Sequence, residues 1–146
     1  MMRQNVEENV QDGMDIALCA FTSDKMLLQY AGAFDALYLV RKKELKEIES
    51  DKIAIGSYRK DDFKSYNNQE LQLQRGDTVY VFTDGFADQF GGPRGKKFKY
   101  KAFQELLVKI QDHDMEDQKR ILSRELDSWK GNLDQVDDIL IIGVRV

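Results

Sequence analysis

Two breaks in apolar, strand-like runs constrain this chain more than any other feature, and each carries an aspartate. Val79, Tyr80, Val81 and Phe82 are β-branched or aromatic and read as a buried strand, which Thr83-Asp84-Gly85 stops abruptly. Then, 53 residues beyond Asp84, Asp137-Asp138 opens the run Ile139-Leu140-Ile141-Ile142. A carboxylate at the mouth of a core strand is costly unless positive charge meets it, and a divalent cation is a common partner. Gly85 permits a sharp backbone change beside the acid. Asp88 points the same way as Asp84 if a helical turn begins at Gly85. Successive strand side chains face opposite sides, so only one of Asp137 and Asp138 can share a site with Asp84. Oxygen donors with no histidine or thiolate nearby suit Mg2+ or Mn2+ and argue against zinc. Plain turn chemistry accounts for the same residues, since Asp-Gly is a frequent turn dipeptide and paired aspartates before a strand are often solvated. Spacing alone leaves both readings open.

The 146 residues, 42% of them hydrophobic, suit one domain with a sizeable core. With 26 acidic against 22 basic residues, the net charge of −4 argues against a nucleic-acid binder. Lys96, Lys97, Lys99 and Lys101 form a local basic patch, read as a solvated loop or helix start. The single cysteine, Cys19, lies in an apolar run and is expected to be a buried structural thiol. One cysteine forms no intrachain disulfide, which fits a reducing, cytoplasmic setting. No stretch reaches the roughly 20 apolar residues of a membrane span, and no secretory h-region opens the chain. A membrane anchor farther upstream in a longer parent protein stays compatible with this.

Residues 1–14 lack periodicity and read as a lead-in, with the folded domain running over 15–146. Ile16 to Thr22 and Met26 to Ala31 are expected to form a hairpin across Ser23-Asp24-Lys25, with a bend at Gly32. Ala36 to Arg41 and Glu44 to Ile48 form a second, turning at Lys42-Lys43. Residues 49–68 read as a long surface loop tethered by Ile53, Ile55 and Tyr58. Leu71 and Leu73 mark a half-buried strand, and Arg75-Gly76-Asp77 a turn into the strand Thr78 to Thr83. Gly91-Gly92-Pro93-Arg94-Gly95 reads as the most flexible stretch. Two amphipathic helices follow, Tyr100 to Gln111 and Met115 to Trp129, with Gly131-Asn132 ending the second. Trp129 is expected to pack that helix on the sheet, and His113 to be a solvated loop residue. A closing strand runs from Ile139 to Val146. This order argues an α+β layered domain.

Five segments in series carry a resemblance. They are Asp12-Gly13-Met14-Asp15, Tyr30-Ala31-Gly32-Ala33, Leu73-Gln74-Arg75-Gly76-Asp77, Val81-Phe82-Thr83-Asp84-Gly85 and Val136-Asp137-Asp138-Ile139-Leu140. From Asp12 onward the chain resembles the C-terminal half of the PPM-type metal-dependent serine/threonine phosphatases. It is most similar to the bacterial SpoIIE-like branch, which dephosphorylates regulators of sigma-factor control. The last two segments, in order and at this separation, are the specific ones. The resemblance implies an antiparallel β-sandwich flanked by helices, with two Mn2+ or Mg2+ ions activating a bridging water. It also implies that Asp84 and Asp137 ligate metal, that Asp88 serves a further, weaker metal, and that Asp138 orients the site without ligating.

No side-chain nucleophile is required by such chemistry, and no Ser-His-Asp or reactive-cysteine pattern occurs. The family's earlier aspartate motif, with its Gly-His-Gly-like turn and its metal-bridging ligand, is absent here. The sequence therefore reads as a partial domain lacking the N-terminal strands, weakly active or inactive by itself. The family's Asn or His-Asn after Ala-Gly is also replaced, by Ala33-Phe34-Asp35. The resemblance implies a phosphorylated regulatory protein as partner, such as an anti-sigma-factor antagonist, and a sensory domain upstream. Two alternatives stand beside the enzyme: a non-catalytic phosphatase-like binding module, and a homo-oligomer that covers open sheet edges by self-association.

Overall fold

The computed structural model describes residues 13–56 and 65–146. Asp12 and Tyr58 lie outside them. In chain order the strands and helices are β1 (Gly13–Met14), β2 (Ile16–Thr22), β3 (Leu27–Ala33), β4 (Leu37–Arg41), β5 (Glu44–Ile48), β6 (Ile55–Gly56), β7 (Gln69–Gln72), β8 (Thr78–Phe82) and α1 (Gly85–Asp88). They continue with β9 (Phe90–Gly91), β10 (Lys96–Lys97), α2 (Tyr100–Lys109), α3 (Met115–Lys130) and β11 (Ile141–Arg145). None of these helices is long and apolar enough to cross a membrane.

Two antiparallel sheets dominate, one ordered β2-β3-β7 and the other β11-β8-β4-β5. The β4–β5 turn is made by Lys42 and Lys43, both at positive φ (48° and 65°). That pairing matches the right-handed twist of a two-residue hairpin, here without the usual glycine or asparagine. Alternation along β4 and β8 explains why both strands read as unbroken apolar runs. Leu37, Leu39 and Val79, with Ile48 of β5, face the three-stranded sheet, where they meet Leu28, Tyr30 and Leu73. Tyr38, Val40, Tyr80 and Phe82 face the opposite side, where α1, α2 and α3 supply Phe86, Phe103, Leu107, Ile110 and Leu122. Helices cover one face and a second sheet the other, so the apolar side chains of these strands are covered on both sides.

The structure corrects several local expectations. β3 runs through Gly32 to Ala33, because Gly32 lies against the Tyr30 hydroxyl and the Asp35 carbonyl, where no β-carbon would fit. Cys19 is exposed. Its strand, β2, is an edge strand facing an apolar cleft of about 370 Å³ that Phe21, Val81, Ile142 and Val144 also line. Ile55 is exposed too, held by backbone pairing with Met14. The glycine-rich stretch is an ordered hairpin of β9 and β10. Gly91 and Gly92 sit directly on Trp129, leaving no room for side chains. Trp129 therefore packs α3 against this hairpin and Phe98, and donates its indole N–H to the Gln89 carbonyl at 3.0 Å.

Candidate metal centre

Phe82 ends β8, and Thr83 ties the strand's exit to the chain entering β11. The Thr83 hydroxyl donates to the Asp138 carbonyl at 2.8 Å and accepts from the Leu140 amide at 2.9 Å. The Thr83 amide donates to the Leu140 carbonyl at 3.0 Å. Gly85 then lies against the Asp138 carbonyl, closer than any β-carbon could approach. Two segments more than fifty residues apart are thereby clamped side by side, with Asp84 on one and Asp137 on the other.

Asp84 precedes the single turn α1 without capping it by its side chain, so its carboxylate is not spent on the helix. Loss of hydration pushes this carboxyl above the usual carboxylate range, and the charges of Asp137, Asp88 and Asp15 add to the effect. Asp35 is raised as well, first by desolvation and then by Asp15 and Asp84. Burial pushes the Tyr100 hydroxyl up to about 12, helped by Asp84, Asp88, Tyr38 and Asp35. The Asp137 carboxylate accepts from the Asp138 amide at 2.7 Å. Asp138 contributes its carbonyl to the clamp, and it is Asp137 that acts on Asp84. Asp88 pairs with Lys97 at 2.7 Å. Among the described residues, Asp84 and Asp137 form no ion pair.

Asp15 and Asp35 were not singled out as site residues by the sequence. Asp15 closes the segment Asp12-Gly13-Met14-Asp15, immediately ahead of β2, and that position was its one available signal. Asp35, half-buried, follows Phe34, whose φ of 61° is unusual for an aromatic residue. The Asp51 carbonyl holds the Phe34 amide there at 2.9 Å. A cleft of about 320 Å³ opens beside Asp84, lined by Asp35, Tyr38, Glu47, Lys52 and Tyr100 among others. The larger hollow, about 630 Å³ between α3 and β11, is lined chiefly by apolar side chains and contains none of the site aspartates.

These residues fit a divalent cation as part of a ligand set. The donors are hard oxygens, they repel one another, and among the described residues Asp84 and Asp137 are in no ion pair. Among the described residues no group of three or more Asp, Glu, His or Cys side chains could hold an ion by itself.

No curated protein matches the chain. Solved structures do. The SiaA-PP2C domain of Pseudomonas aeruginosa is 31% identical with a TM-score of 0.83, over 90% of this chain and 51% of that one. The Mn-presoaked phosphatase domain of the cell fate determinant SpoIIE from Bacillus subtilis shares the fold at 15% identity and a TM-score of 0.66, covering 90% and 56%. The Mycobacterium tuberculosis serine/threonine phosphatase PstP does so at 16% and 0.63, covering 90% and 59%. The chain spans little more than half the length of these structures. The family model described as Stage II sporulation protein E matches residues 2–146, and the chain belongs to that family of PP2C-type phosphatase domains.

Proposed function

We propose that this chain is the C-terminal part of a metal-dependent phosphoprotein phosphatase domain that hydrolyses phosphoserine or phosphothreonine on a bacterial signalling protein. One observation supports the reading: Thr83, beside Asp84, is hydrogen-bonded to Asp138 and Leu140, beside Asp137, and neither Asp84 nor Asp137 forms an ion pair among the described residues. A Mn2+ or Mg2+ pair held here would supply a hydroxide nucleophile near neutral pH and offset the charge of the phosphate. Asp84 and Asp137 would be two of its ligands, and Asp88 a weaker one, released from Lys97. Asp138 holds the clamp through its carbonyl. The phosphorylated partner is of the sigma-control type, such as an anti-sigma-factor antagonist, met in the cytoplasm and under an upstream sensory domain.

Hydrolysis of p-nitrophenyl phosphate with Mn2+, by the whole protein that contains this chain, tests the assignment. Asp84→Asn is expected to lower the rate by about a hundredfold or more, since a lost metal ligand removes geometry and affinity together. Equal rates would overturn it. A second reading is favoured by the absence, among the described residues, of a three-ligand cluster: a phosphatase-like module that binds without chemistry. Calorimetric Mn2+ titration of the same protein separates the two, because that module takes up no metal.

A further inference from the structure

At the opposite end of the four-stranded sheet lies a depression of about 560 Å³ where three connections and a strand end meet. The contributors are the Lys42-Lys43 turn, the turn from Gln74 to Asp77, the α2–α3 connection at Gln111-Asp112, and Arg145 at the end of β11. Asp77 and Asp84 bracket β8, so this depression is roughly 20 Å from the carboxylate cluster. Its residues have no part in the proposed metal site.

Five cationic side chains line it against two carboxylates. Both acids are already committed. Asp77 takes a two-pronged contact from Arg41, at 2.8 and 2.6 Å, and Asp112 pairs with Lys43 at 2.6 Å. Lys42, Arg75 and Arg145 have no ion pair among the described residues. Arg145 is held instead by neutral oxygens, those of Thr78 at 3.1 Å, His113 at 2.8 Å and the Gln111 carbonyl. Its orientation is fixed without a direct ion pair, and its charge also acts on Asp112. Among the lining side chains cations outnumber carboxylates by three, in a chain whose net charge is −4.

The walls are braced. Asp77, only 1% exposed, also accepts from the Gln74 amide at 2.8 Å, Arg41 donates to the Gln72 carbonyl at 3.0 Å, and the buried Gln111 side chain accepts from the Lys43 amide. Arg41 and Arg145, held in this way, lose little freedom when a ligand arrives. The lysines 96–101, conspicuous in sequence, include Lys97, which is already paired with Asp88.

We propose that this depression docks an acidic peptide segment of a partner protein. Charge complementarity selects the occupant. The unpaired cations come from separate connections around an open hollow, a spread that suits several carboxylates in series better than one compact phosphate.

The test is fluorescence anisotropy of a short fluorescein-labelled polyglutamate peptide, titrated with this chain at low ionic strength. Lys42 and Arg75 are both exposed, so the Lys42→Asn/Arg75→Gln double variant leaves the core intact, which circular dichroism checks. It is expected to weaken binding about tenfold, while Lys99→Gln/Lys101→Gln changes it less than about twofold. No binding by the unaltered chain, equal losses in the two double variants, or displacement of the peptide by inorganic phosphate at matched ionic strength would overturn the proposal.

Discussion

Gly85 and Asp138 touch through their backbones, with the glycine α-carbon set against the Asp138 carbonyl in a space that admits no side chain. The Ile139 side chain closes the same space, 3.0 Å from where a β-carbon would sit. Gly85→Ala must therefore push the entry to β11 away from β8. Overpacking of this kind costs about 1–3 kcal/mol. Urea denaturation is expected to show the loss, and Mn2+ affinity of the whole protein should fall with it.

Thr83 joins the same two segments with one hydroxyl that both donates and accepts. Thr83→Val keeps the shape and leaves the Asp138 carbonyl and Leu140 amide without their partner. About 1–2 kcal/mol should be lost, discounted because water reaches part of this end. Hydrogen exchange at the Leu140 amide is expected to accelerate in the valine variant and to stay slow in Thr83→Ser.

Asp84 carries a prediction whose sign reverses with metal. Its carboxyl is raised by desolvation, then by Asp137, Asp88 and Asp15, so the folded chain holds its proton more tightly than the unfolded chain. The stability this contributes is full below the ordinary aspartate value and is lost as pH rises through the raised one. At neutral pH without metal, Asp84→Asn is expected to stabilise the chain, by less than about 1 kcal/mol because water and salt screen an exposed charge. Thermal melts in chelator should rise by about 1–3 °C. With saturating Mn2+ the whole protein should show the opposite order, the unaltered form melting higher.

The Arg41–Asp77 pair predicts the reverse pH profile at the other pole. Burial pushes the Asp77 carboxyl up, but hydrogen bonds from Arg41 and the Gln74 amide, with the charges of Arg41 and Lys42, outweigh it and hold the group below its usual range. Its stabilisation is present above about pH 4 and is lost as pH falls through the depressed value. Asp77→Asn should cost about 2–3 kcal/mol at neutral pH, toward the low end for a buried pair because Arg41 is one-third exposed. In urea melts across pH, the difference between the two forms should shrink below about pH 4.

Local pattern determined much of this molecule. Alternation in β4 and β8, the amphipathic faces of α2 and α3, and the Lys42-Lys43 hairpin are all legible because side-chain period and turn chemistry act over a few residues. Asp114 illustrates it, capping α3 by accepting from the Asp117 amide at 2.7 Å. The acids at the ends of the two runs around β8 and β11 could likewise be named from sequence. Their closeness depends on β11 pairing antiparallel with β8, Ile141 opposite Phe82, a long-range register invisible to any local window. The same distinction explains the corrections. Cys19 is exposed because its strand lies at an edge, and Trp129 meets a glycine hairpin because that hairpin folds back onto α3. Asp15 and Asp35 join Asp84, and Lys42, Arg75 and Arg145 gather at the far pole, only when separate connections meet in space. Period and turn type are properties of neighbouring residues, whereas convergence and exposure belong to the packing of sheets and helices, and there the site was made.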